Sequence, residues 1–164
     1  MHLSQVVQIL ARRLGIRPSR VSAIGSRLQH VGRIPIADGS RRYPPEIDDE
    51  HAAILLIAVL ADRGLGMVPA TTEAYVAMTS PEGHRLLETV LAIVRGRALP
   101  GDFIFREGGV TGVVDRQHAV FGNPAENGTA RFATGPTMAA IAAELQGISP
   151  SQADAIAAIT RIPR

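Results

Sequence analysis

Residues 10–28 read LARRLGIRPSRVSAIGSRL, and the spacing of their apolar positions decides how the chain begins to fold. Leu10, Leu14, Ile16, Val21 and Ile24 stand where two helices joined by a tight turn need apolar side chains. Ala11 is small where the helices cross, and Gly15 falls at the turn, where a residue without Cβ takes positive φ freely. This is the spacing of a helix-turn-helix, a unit whose second helix lies in the major groove of duplex DNA. Upstream, Leu3, Val6, Val7, Leu10 and Leu14 recur at three- and four-residue steps, which predicts a first helix capped by Ser4. Pro18 and Ser19 open the second helix, expected to run to Val31. Its inner face would be Val21, Ile24, Leu28 and Val31; its outer face would carry Arg20, Ser22, Ala23, Ser26, Arg27 and His30.

Charge singles out the same segment. Residues 1–42 hold eight arginines and one acid, Asp38, a balance of +7, whereas residues 43–164 hold nine arginines and fourteen acids, a balance of −5. A basic head on an acidic body points to an acidic partner for the head, and a phosphate backbone is the commonest, since each cation that displaces counterions adds salt-sensitive affinity. Arg20 and Arg27 are the expected base readers, because a guanidinium grips guanine O6 and N7 together. Ser19, Ser22 and Ser26 would meet phosphates or bases, with His30 at the periphery. Arg12, Arg13, Arg17, Arg33, Arg41 and Arg42 would position the backbone.

Beyond Gly32 the text RIPIADGSRRYPPEI, with its Asp38-Gly39 turn signal, predicts a small wing whose tip bears Arg41 and Arg42. Asp48-Asp49-Glu50 then opens a helix to about Arg63, its acids at the positive end of the dipole. That helix is apolar around its whole circumference and is therefore buried on all sides, within its own domain or against another subunit. Shorter helices are expected over Thr72–Met78 and from Ser80 to Arg95. The pieces DFIFRE, VTGVVD, HAVFG and TARFAT, broken by Gly108-Gly109, Asn123-Pro124 and Asn127-Gly128, read as a small antiparallel sheet or hairpin. Two Ala-rich helices follow, over Pro136–Leu145 and Ser149–Thr160. The fold class is thus mainly α with a small β region, divided into a reading head, residues 1–46, and a body, residues 47–164, that assembles or binds a partner.

Composition removes several kinds of chemistry. There is no cysteine, hence no disulfide framework, thiolate metal site or cysteine nucleophile. All seventeen basic residues are arginine, which excludes a Schiff-base lysine and the lysine of a phosphate-binding loop. Aromatic residues make up 4% of the chain, too few for base-stacking platforms, so duplex rather than single-stranded nucleic acid is expected. The longest apolar run, Ala52–Ala61, is ten residues, against the roughly 20 a membrane span needs. No charged lead precedes the apolar residues at the N-terminus, so no secretory signal is read and a cytoplasmic location is expected. The five histidines are dispersed without ligand spacing, no Gly-x-Ser-x-Gly elbow is present, and the acids at 48–50 diverge around a helix as capping residues do. Neither catalysis nor a metal or other cofactor is expected.

The stretch Ile9–Pro45, with VSAIGSRLQHVGRIPIADGSRRYPP followed at once by an acid-capped apolar helix, resembles small proteins of bacteriophages and prophages in which a winged helix-turn-helix precedes a helical body. Similar heads occur in MerR-like repressors and in phage small terminase subunits, the ring-forming proteins that select viral DNA for packaging. The resemblance implies Pro18–His30 as the recognition helix and Arg33–Tyr43 as the wing, and nothing after residue 64 takes part in it. The arginine-only, Ala- and Gly-rich composition agrees with a high-GC bacterial or phage genome. The expected protein is a non-catalytic, homo-oligomeric duplex-DNA binder of a bacterial cytoplasm. It would act at a promoter, with RNA polymerase as a further partner, or at a packaging site, with a large terminase. The alternative is an adaptor whose helix pair and acidic body bind protein without DNA; an enzyme sited in residues 102–134 is a third reading.

Overall fold

The apolar period of the first thirty residues forms the two helices it predicts, α1 (Leu3–Leu14) and α2 (Pro18–His30), in a computed structural model that describes residues 1–36 and 46–160. Helix α1 buries Val6, Val7, Ile9, Leu10 and Ala11. Its N-cap is His2 rather than the expected Ser4: the His2 N–H donates to Gln5 Oε1 at 2.9 Å. The entry point is set one step earlier by pairing with a distant segment, since Ile47 N–H donates to Met1 O at 2.7 Å and His2 bridges Glu46. Gly15 has φ +65° and lets Ile16 N–H reach back to Ala11 O at 2.9 Å, which closes α1 and turns the chain into α2. Helix α2 buries Val21, Ile24, Gly25 and Leu28. Val31 does not join that inner face and is 49% exposed, because the chain leaves the helix there, turns at Gly32 and seats Ile34 in the core instead.

Asp48 caps α3 (Asp49–Leu60) by accepting the His51 N–H at 2.8 Å, and every residue from Ala52 to Leu60 is buried. Of the two sites of burial the sequence allows, the chain itself supplies the cover. A 3-10 turn, Leu65–Met67, leads into α4 (Val68–Val76), which starts earlier than expected because Pro69 occupies its first turn. The helix expected from Ser80 forms only as α5 (Leu86–Val94). Residues 79–85 reverse the chain instead: Ser80 N–H donates to His84 O at 2.8 Å, Gly83 takes φ +88°, and Thr79 bridges Arg85.

The strand-like pieces build one four-stranded antiparallel sheet from β1 (Pro100–Arg106), β2 (Gly109–Val114), β3 (Gln117–Gly122) and β4 (Arg131–Ala133), in the order β3-β2-β1-β4. Phe103, Phe105, Val110, Phe121 and Ala133 face the core. Phe103 lies over its cross-strand neighbour Gly112, where a Cβ would come within 2.7 Å of the ring. Helices α6 (Gly135–Leu145) and α7 (Pro150–Thr160) close the chain, α6 lying against β1, α1, α5 and α7. With seven helices and this sheet among the described residues, the fold is mixed α/β.

A single apolar core runs from Val6 through α2, α3, α4, α5 and the sheet to Ala142, and a small alanine cluster joins α6 to α7. The N-terminal helix pair shares that core with α3, α4, α5, the sheet and α6. No helix among the described residues is long and apolar enough to cross a membrane.

Candidate nucleic-acid interface

The residues that α2 does not bury form one continuous arc. Ser19, Ser22 and Ser26 occupy its middle, Arg17 stands just before its first turn, and Arg27 and His30 lie toward its far end; all six are exposed. Their order follows from the 3.6-residue period, since Val21, Ile24, Gly25 and Leu28 hold the opposite side. The arc contains no acid, and its small side chains leave the helix backbone open to close approach. Beside it, Leu3, Ser4, Val7, Gln8 and Gln29 from the two helices help line a shallow groove of about 400 Å3.

The remaining arginines of the first thirty-six residues are tied to the body. Arg12 and Arg13 converge on Glu144 of α6, the latter with Nε at 2.6 Å, and Glu144 itself is buried. Arg13 also pairs with Asp154 of α7 and donates to Pro150 O at 3.2 Å. Burial works against the Arg13 charge, yet hydrogen bonds to Asp154 and Glu144 prevail and hold its pKa above the ordinary arginine value. Arg33 makes a two-pronged ion pair with Glu73 of α4. Arg20 donates from Nε and Nη2 to the two oxygens of Asp62 at 2.9 and 2.8 Å, and Asp62, whose side chain is 0% exposed, also accepts from Arg131 Nη2 at 3.2 Å.

The structure therefore sorts the candidate residues into two groups. Arg17, Ser19, Ser22, Ser26, Arg27 and His30 share one solvent face, and neither Arg17 nor Arg27 has a carboxylate partner among the described residues. Arg12, Arg13, Arg20 and Arg33 are held in ion pairs that join the helix pair to α6, α7, α4 and the end of α3. Arg41 and Arg42, with the rest of the expected wing from residue 37 onward, lie outside the described residues. Glu73, Asp62, Glu144 and Asp154 are the partners that sequence reasoning did not foresee. Their only prior signal is the opposite charge of head and body, which does not say that the two neutralise each other.

A second group of polar residues gathers in a cavity of about 480 Å3 between α5 and the β2–β3 hairpin, where Glu82, His84, Asp115 and His118 come together. Asp115 is engaged by the Leu99 N–H at 2.8 Å. The Ser80 hydroxyl holds the Glu82 carboxyl below the usual carboxylate range. Neither histidine side chain bonds an acid among the described residues, and no group of three or more His, Cys, Asp or Glu there could hold a metal ion.

Comparison with known protein families, with curated proteins and with solved structures finds no match to this chain.

Proposed function

We propose that this chain is a non-catalytic duplex-DNA-binding protein that presents the exposed arc of α2 to a major groove, in the manner of a phage or prophage helix-turn-helix protein. One observation carries the reading: the arc is free of acids, narrow in side-chain bulk at Ser19, Ser22 and Ser26, and flanked by Arg17, Arg27 and His30. A helix must come within hydrogen-bond reach of base edges to read them, and small residues along its outer line permit that approach. Arg27 is the base reader and Arg17 a phosphate contact; Arg12, Arg13, Arg20 and Arg33 serve the fold. One such module makes few contacts, so at least two copies act together, at a promoter beside RNA polymerase or at a packaging site beside a large terminase.

The test is the binding of the full chain to duplex DNA by fluorescence anisotropy over a salt series. Affinity should fall steeply as salt rises, and Arg17→Ala should flatten the log–log slope by about 0.9, the value for one lost phosphate contact. Arg27→Ala should cost about 1–3 kcal/mol on a specific site and much less on random duplex. The adaptor reading is favoured by a different observation, the pairing of four head arginines with acids of the same chain. A duplex ignored at low salt would select the adaptor.

A further inference from the structure

The convergence on Asp62 does more than join α2 to the sheet, because its charges do not cancel. Arg20, Arg63 and Arg131 line one cleft of about 350 Å3 with Asp62 as its single acid, a net charge of +2. The carboxylate is saturated: Oδ1 accepts from Arg20 Nη2 and from Gly64 N at 2.9 Å, and Oδ2 accepts from Arg20 Nε and Arg131 Nη2. Arg131 Nη1 reaches only Val59 O at 3.4 Å, a long contact. Arg20 Nη1, Arg131 Nε and the whole Arg63 guanidinium have no acceptor among the described residues. Leu60, Tyr75 and Phe105 also line the cleft, but each is 2–4% exposed and already covered by the chain, the two rings stacked with centroids 6.0 Å apart. The Tyr75 hydroxyl is already engaged, donating to Arg106 O.

We propose that this cleft binds a small anion, with a carboxylate or phosphate group held by Arg20, Arg63 and Arg131. The cleft volume falls in the range of small-molecule sites. A neutral ligand would leave the guanidinium donors unmatched. Asp62 preorganises the site: it fixes two of the three guanidiniums before any ligand arrives, so little side-chain freedom is lost on binding. This proposal stands whether or not α2 meets DNA.

Phenyl phosphate is the probe, titrated into the full chain by calorimetry at constant ionic strength, with inorganic phosphate and neutral benzyl alcohol as the other arms. We expect one saturable site per chain for phenyl phosphate and for inorganic phosphate, and none for benzyl alcohol. Arg63→Ala, on an exposed residue outside the Asp62 network, should weaken phenyl phosphate at least about fivefold. Arg97→Ala, on the other cavity, should leave binding unchanged. Absence of saturation by about 10 mM, or equal binding by the parent chain and Arg63→Ala, overturns the site. Saturable binding of benzyl alcohol overturns recognition through the anionic group.

Discussion

Asp62 shows why an arginine on a helix named for reading DNA is not thereby free to read it. The carboxylate sits after the last turn of α3 with no exposure of its own, while Arg20 remains 35% exposed. Two oxygens that cannot reach water need donors from the chain, and Arg20 supplies two of them in the planar fork that a guanidinium alone provides. Arg20→Ala should therefore lower stability by about 1–3 kcal/mol, the cost of leaving a buried acceptor short of donors, with Arg131 and Gly64 limiting the loss. Arg27→Ala, on an exposed residue with no acidic partner among the described residues, should change stability by less than about 0.5 kcal/mol. Urea unfolding followed by circular dichroism measures both. If Arg20→Ala unfolds at the parent's midpoint, the Asp62 pair does not support the fold.

At the scale of elements, the sequence was most readable where period and punctuation agree. The steps of α1 and α2, the acid cap of α3, and the four short strands all come from patterns a few residues long. What escaped is decided by distant contacts: the pairing of Met1 with Ile47 moves the start of α1 to His2, and the reversal at Gly83 takes the start of α5 away from Ser80. The candidate site divides the same way, since the face of α2 is local whereas the acids that hold Arg12, Arg13, Arg20 and Arg33 come from forty or more residues away. The β2–β3 turn was also missed as a turn type. It is formed by Asp115 and Arg116 with φ +51° and +68°, where two-residue hairpin turns favour Asp-Gly. Arginine in the left-handed region is strained by about 1–2 kcal/mol, partly offset by the smaller chain entropy it gives the unfolded state. Arg116→Gly should thus stabilise the protein by about 0.5–1 kcal/mol, seen as a higher urea midpoint at unchanged slope.

Across the whole molecule, the opposed charges of head and body find one another. Arg12, Arg13, Arg20 and Arg33 make five ion pairs with the body, reaching α6, α7, the end of α3 and α4, and the same interface is filled by α1 and α2 side chains of a single core. The exposed Arg33–Glu73 pair adds little, and the pairs on Glu144 and Asp62 chiefly satisfy carboxylates that burial would otherwise leave short of donors, so the apolar contact with α3 and α6 carries most of the union. A head that folded alone and hung from a linker would melt separately from its body. This chain should instead unfold in one cooperative transition, because α3 has no solvent face and loses part of its cover when α2 leaves. Native-state hydrogen exchange provides the measurement: amides of Leu10, Ile24, Ile57 and Phe105 should share one opening free energy equal to that of global unfolding. Opening of Leu10 and Ile24 at a clearly lower free energy than Ile57 would mean that the helix pair is a separate folding unit, and a fragment beginning at Glu46 would then fold by itself.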